Sequence, residues 1–305
     1  MSSLNVTNVN ATNVNADNVD IENLETTITL TNYTDSTRPA TPSVGTIIWN
    51  SDAGEVQVWN GDAWTNISKA SATEIPVTQG LLVNLDAGNR NSYSGSGGTW
   101  FDLSGRGQDG AITNATWSTF GGGSFDFAGN AYVDLGASLI GSGGTLIGTG
   151  DNGSSYTLMA FVNVRSSSGT TTNAASIVGS RSTYGVGMQV GESGGNARVN
   201  YGARGTSNYY GNTFAYNTWR HIALSRIGGT SVRSYENGQF VASTAATNLE
   251  AASGQSYDNM RIGYSAPRIS GYFNGYIAMV QIYNRGLSES EIQLVYDTFK
   301  DRYGL

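Results

Sequence analysis

Cysteine is absent from the 305 residues, histidine occurs once, and lysine occurs only at Lys69 and Lys300. Without cysteine there is no disulfide framework and no thiol chemistry. One histidine cannot build a His/Cys zinc site within a single chain. Charged residues make up 13%, against about 25% in typical domains. The net charge is -7, and a nucleic-acid binder needs a basic face, so that class is excluded. No apolar run approaches the roughly 20 residues of a membrane span, which predicts no membrane partner. The opening MSSLNVTNVN has no positive n-region and no apolar h-region, so no secretory signal is expected. Proline is also scarce, at 4 against 41 glycines, and this excludes collagen, which needs both in register. What is abundant is aromatic: Trp 6, Tyr 17 and Phe 9 exclude an acidic disordered chain.

The first segment repeats. Asn8-Val9-Asn10-Ala11-Thr12 is echoed by Asn13-Val14-Asn15-Ala16-Asp17, then by Asn18-Val19-Asp20-Ile21-Glu22 and Asn23-Leu24-Glu25. The spacing of Val9, Val14, Val19 and Leu24 fits neither a helix nor a flat strand; it fits a coiled β path. A low-complexity Asn/Thr linker is the plain alternative. A coil this short cannot bury its own stripe, because repeat structures need stacked neighbours. The stripe therefore predicts oligomerisation or attachment to another protein.

Residues 45–67 alternate in short runs punctuated by Asp52-Ala53-Gly54 and Asn60-Gly61, which predicts a three-stranded β-meander. Trp49, Trp59 and Trp64 crowd into it, as core or as interface, in a module too small to stand alone. Residues 68–79 are small and polar, a linker. The organisation expected is a repetitive β arm at 1–37, a collar at 38–67, the linker, and one large domain at 80–305.

That domain reads as short β-branched and aromatic runs separated by Gly/Ser/Asn turns, the pattern of an all-β, two-sheet jelly-roll sandwich. One helix is predicted at its end. Ser288 and Glu291 form a capping box, and Ile292, Val295, Tyr296 and Phe299 share one face.

Four stretches of this domain resemble the concanavalin A-like, laminin-G-type jelly-roll family. They are Leu81-Leu-Val-Asn-Leu-Asp-Ala-Gly-Asn with Trp100-Phe-Asp-Leu-Ser-Gly-Arg-Gly107; Gly122-Gly-Ser-Phe-Asp-Phe-Ala-Gly129; Trp219-Arg-His-Ile-Ala-Leu with Tyr235-Glu-Asn-Gly-Gln-Phe-Val241; and Gly271-Tyr-Phe-Asn-Gly-Tyr-Ile-Ala-Met-Val280. The version with Leu-Asp-Ala-Gly-Asn and Gly-Ser-Gly-Gly-Thr-Trp is similar to tailed-bacteriophage virion proteins. That resemblance implies a fibre, appendage or head-decoration component, located in the virion. It implies a homotrimer joined to other virion proteins through the N-terminal arm. Family members often carry acidic residues where this chain has Ala278 and Met279, which weakens any calcium role; Asp102 and Asp109 are the metal candidates left, and otherwise no cofactor is expected.

Catalysis finds little support. Glycoside hydrolysis needs two carboxyl groups flanking the bond, and no Glu-x-Asp-x-x-Glu strand is present; Glu192 and Glu236 stand alone, and Asp126 and Asp134 occupy separate runs. His221 sits in an alternating run without a Gly-x-Ser-x-Gly elbow, so it reads as structural. A polysaccharide-degrading enzyme is the remote alternative and a host-surface glycan adhesin the nearer one. For glycan, the segment Asn208-Tyr209-Tyr210-Gly211-Asn212 through Tyr216 reads as an aromatic and amide-rich loop, with Tyr93, Trp100 and Trp117 as further candidates. The same loop fits a subunit contact equally well.

Overall fold

The structure, a computed structural model, describes residues 30–52, 55–66, 75–139, 155–166, 175–180, 187–203, 207–228, 231–245, 259–264 and 271–305. Val9, Val14, Val19 and Leu24 lie outside the described residues. Tertiary contacts divide the chain into two units, Met1–Ser71 and Ala72–Leu305.

The first unit holds β1 (Asn32–Tyr33), β2 (Ile47–Asn50), β3 (Glu55–Trp59) and β4 (Trp64–Asn66). Strands β2 to β4 form the expected antiparallel meander. A fourth strand, unforeseen, joins it: β1 pairs in parallel with β2. The alternation of β2 sorts its residues, burying Ile48 and Asn50 and leaving Ile47 47% and Trp49 38% exposed. The buried face is unusually polar. Asn50 Nδ2 donates to Asp35 Oδ1 and Gln57 Oε1, and Arg38 Nη1 donates to the same Gln57 oxygen. The three tryptophans are therefore not equivalent. Trp59 and Trp64 meet edge-to-face at 5.7 Å, and the Trp64 indole N–H reaches Pro39 O.

The second unit opens with β5 (Leu81–Asp86), β6 (Thr99–Trp100), β7 (Gly110–Thr113), β8 (Thr116–Ser118), β9 (Ser124–Phe127) and β10 (Tyr132–Asp134). Then come β11 (Tyr156–Val164), β12 (Ala175–Ser180), β13 (Gly187–Ser193), β14 (Asn196–Ala203) and β15 (Ser207–Phe214). Strands β16 (Trp219–Ile227), β17 (Ser231–Glu236), β18 (Gln239–Ala245), β19 (Met260–Ile262) and β20 (Gly275–Tyr283) lead into the helix α1 (Glu289–Tyr303). One sheet runs β15-β14-β13-β12-β19-β10-β7-β6. The other runs β18-β17-β16-β11-β20-β9-β8, with β5 also paired to β20. All the pairings within these two sheets are antiparallel, as a jelly roll requires.

Two hydrophobic layers hold this unit. Between the sheets, Leu158, Ala160, Val162, Ile222, Leu224 and Ile282 face Val133, Val178, Met188, Val190 and Ile262. On the outer face of the second sheet, Met159, Phe161, Ala223 and Tyr283 pack under Ile292, Val295, Phe299 and Tyr303 of α1. Strand β11 is buried along its whole length because it contributes alternate residues to both layers. Each large apolar side chain so buried contributes about 1.5–3 kcal/mol. The capping box forms as expected: Ser288 accepts from the Glu291 N–H, and Glu291 Oε2 accepts from the Ser288 N–H. Arg285 clamps the same carboxylate at 2.6 Å, and this pairing holds Glu291 down at about 2.

Candidate functional site

Strand β15 is one edge of the first sheet and β18 one edge of the second. Near these two edges lies a groove of about 530 Å³, lined among others by Asn212, Phe214, Arg220, Glu236, Asn237 and Phe240. Its polar floor comes from a tight turn. Asn237 and Gly238, at φ 48° and 75°, join β17 to β18 in the conformation favoured by Asn-Gly hairpins. The turn is tied to β16 twice: the His221 N–H donates to Asn237 Oδ1, and the Asn237 N–H to His221 O. Gly238 also lies so close to α1 that a Cβ would stand 2.6 Å from Gln293. The hairpin thus presents Glu236 and Asn237 from a fixed position.

The groove combines an aromatic face with hydrogen-bonding groups. Phe240 is 45% exposed and rests edge-on against buried Tyr235 at 5.9 Å. At the base, Phe214 is buried, and the Arg220 guanidinium sits 5.7 Å above its ring. Burial pushes the Glu236 carboxyl up, opposed by the Asn212 backbone hydrogen bond and the Arg220 charge. Glu236 Oε1 has no hydrogen-bond partner among the described residues. A buried acceptor left so is costly. Glu236 is the one carboxylate among the lining residues. An aromatic face beside an acceptor, a guanidinium and two amides suits reading of a hydroxylated ring; it does not supply the carboxyl pair that glycoside hydrolysis uses.

The residues expected from sequence are scattered by the fold. Asn212 is in the groove. The segment around it is a correction: it is the edge strand β15, paired with β14, and not a loop. The side chains of Asn208, Tyr209 and Tyr210 lie outside the described residues. Tyr216 is half-buried with its ring against the inter-sheet core. Trp100 is a second correction, because it is fully buried and packs on Phe125 at 4.7 Å, leaving no face for a ligand. Tyr93 is likewise buried, and Trp117 is half-buried with its indole N–H on Ala87 O. The metal candidates serve a turn. Asp102 accepts from the Asn84, Ser104 and Gln108 N–H groups, and Asp109 accepts from the Asp102 N–H. No cluster of three or more His, Asp or Glu suited to a metal occurs among the described residues. His221 is buried between Phe161 and Tyr296, at 4.8 and 5.8 Å, and burial pushes its imidazole down to about 3. Asp126 and Asp134 fall on different sheets and pair with Arg165 and Arg261.

Sequence reasoning passed over Phe240, Arg220 and Asn237. The signal was present in Tyr235-Glu-Asn-Gly-Gln-Phe, where an Asn-Gly turn places a carboxylate and an aromatic on its two sides.

Comparison with known proteins agrees with this architecture. Domain 4 of AbnA, a GH43 extracellular arabinanase from Geobacillus stearothermophilus, determined with arabinotriose, superposes with a TM-score of 0.50 at 16% identity, over 71% of this chain and 98% of that one. Botulinum neurotoxin type C, which enters cells through interaction with two ganglioside molecules, gives 0.49 at 13% identity over 73% of this chain. The present chain spans about half of that neurotoxin structure, 52%. Curated protein sequences gave no match. The sequence profile of the concanavalin A-like lectin/glucanases superfamily matches residues 127–293, more than half of the 305. The chain belongs to the concanavalin A-like lectin/glucanase superfamily.

Proposed function

We propose that this protein is a non-enzymatic structural component of a tailed-phage virion, an appendage, fibre or head decoration, whose jelly roll binds host-surface glycan. The observation that carries the binding role is the groove, where exposed Phe240 stands beside Glu236, Arg220 and Asn212. A sugar ring stacks on the phenyl face while the polar groups take its hydroxyls. Tyr209 and Tyr210, on the strand that supplies Asn212, extend the same role. The virion role rests on the motif resemblance and on the repetitive arm. In it, the chain is made in the host cytoplasm and incorporated into the particle. Residues 1–67 hold a homotrimer and dock on other virion proteins. The partly exposed Trp49 and Ile47, at 38% and 47%, support an interface in that region, since covering what remains of each would contribute about 1 kcal/mol.

Affinity electrophoresis in native gels cast with host lipopolysaccharide, capsular polysaccharide or arabinan tests the binding. Retardation by at least one of them, weakened about fivefold to tenfold by Phe240→Ala, is expected. Retardation that Phe240→Ala and Glu236→Gln leave unchanged would remove the groove from the reading. Light scattering tests the trimer: full-length protein weighs as three chains and a chain starting at Gly80 as one. Electron microscopy of intact particles with a labelled antibody decides the virion placement.

A further inference from the structure

The outer face of the second sheet carries a further exposed aromatic surface, beyond the end of α1. Phe120, on a short turn at Phe120–Gly122, is 45% exposed. Its ring lies 4.8 Å from Tyr276 and 5.4 Å from Trp219. The turn is built for this contact. Gly121 has φ +63°, and a Cβ there would stand 2.3 Å from the Trp219 ring, so the chain lies flat on the indole only with glycine. Beside the rings is an organised polar group. The Arg165 guanidinium stacks on Tyr276 at 4.9 Å, donates to Asp126 Oδ2 at 2.8 Å, and donates to Asn274 Oδ1 at 2.9 Å. Asn274 is fixed in turn through Ser166 Oγ. Tyr276 and Asp126 are direct cross-strand partners, so this ring and this carboxylate stand side by side across β20 and β9. Asp126 Oδ1 is buried and without a hydrogen-bond partner among the described residues, so the carboxylate, its side chain 28% exposed, meets a ligand at the Oδ2 edge.

We infer that this ledge is a second saccharide-binding site, distinct from the groove. The Phe120 ring, 45% exposed, gives apolar area to a sugar face, with the partly covered Tyr276 ring beside it and the buried Trp219 beneath it. A guanidinium, a carboxylate and an amide, each already oriented by its neighbours, give directional contacts to ring hydroxyls at little ordering cost. The opposite charges cancel within the Arg165–Asp126 pair, which fits a neutral sugar better than a strongly charged partner. Trp219 supports the ledge and Arg220, the next residue of β16, lines the groove, so the two sites stand at one end of the sandwich.

The test uses full-length protein on the same polysaccharide gels, comparing Phe120→Ala, Arg165→Gln and Phe240→Ala. Phe120→Ala and Arg165→Gln are each expected to weaken retardation on at least one polysaccharide, about tenfold for the ring. Arg165→Gln removes the stacking on Tyr276 and the Asp126 pair but no ring, and urea midpoints of all three variants, measured alongside, separate loss of binding from loss of fold. If both ledge variants bind as wild type while Phe240→Ala does not, the ledge is overturned and the groove stands. If the ledge variants lose binding and Phe240→Ala does not, the ledge stands and the groove fails. No retardation by any polysaccharide overturns both.

Discussion

Two regions of one sheet face use the same aromatic chemistry to different ends. Under α1, Phe161 is buried and stacks on Tyr303 at 4.4 Å, and Tyr303 meets Trp219 at 4.9 Å. Trp219 then meets Phe120, and there the series emerges into solvent. Ring contacts of similar distance thus run from a sealed layer to an exposed ledge. The difference lies in what covers them. Helix α1 supplies Ile292, Val295 and Phe299 over one part, and it ends at Tyr303, before the other. Aromatic content alone therefore says nothing about binding; coverage by a neighbouring element decides.

The largest effect should come from opening the sealed part. Phe299 is 2% exposed and lies against Phe161 at 6.3 Å. Phe299→Ala is expected to cost about 3–5 kcal/mol in urea unfolding, the range for a buried phenyl. A loss below about 1 kcal/mol would show that the helix is loosely seated and that the contrast between the two regions is weak.

Next is the ion pair that anchors the end of that helix. Arg302 donates to Asp86 at 2.6 Å, and Asp86 is 2% exposed. Arg302→Ala strands the carboxylate in a low-dielectric site and should cost about 3 kcal/mol. Asp86→Asn in the same background should recover part of the loss, since it removes the unpaired charge. Unfolding free energies of the single and double variants check both statements.

Acid should act on the sealed region through His221. Burial holds its imidazole at about 3, well below the usual 6.5. Between those values the unfolded chain binds the proton and the folded chain does not. Stability is complete above pH 6.5 and falls as pH drops, by about 1.4 kcal/mol per unit. His221→Phe, placed between Phe161 and Tyr296, should flatten the profile from pH 6.5 to 5, measured in a Glu236→Gln background because burial raises that carboxyl. An unchanged slope in that variant would mean that the imidazole is hydrated and the layer open.

Much of the fold was legible because local signals agreed with it. Ser288 and Glu291 announced the helix by side-chain chemistry confined to four positions, and α1 starts at Glu289. The strands were legible from alternation. What sequence could not show was the partner of each face. Trp100 and Phe240 look alike in a strand pattern, yet one is buried against Phe125 and the other lies open at a sheet edge. The groove draws on β15, β16, β17 and β18, and its edge-to-edge meeting is a product of topology. The same holds for Tyr216, half-buried with its ring packed on a core assembled from both sheets.

The smallest expected effect is the sharpest on the comparison. Phe120→Ala removes a ring that is already 45% exposed and outside both buried layers. Its loss uncovers part of Trp219 and Tyr276 but opens no cavity in the interior, so the cost should stay below about 1 kcal/mol. Urea unfolding of this variant beside Phe299→Ala gives the ratio directly. A ratio of three or more keeps the ledge as surface, free to serve a ligand. Near-equal losses would make Phe120 the outermost layer of the sealed region, a lid on Trp219 whose exposure is incidental, and the two regions would then be one.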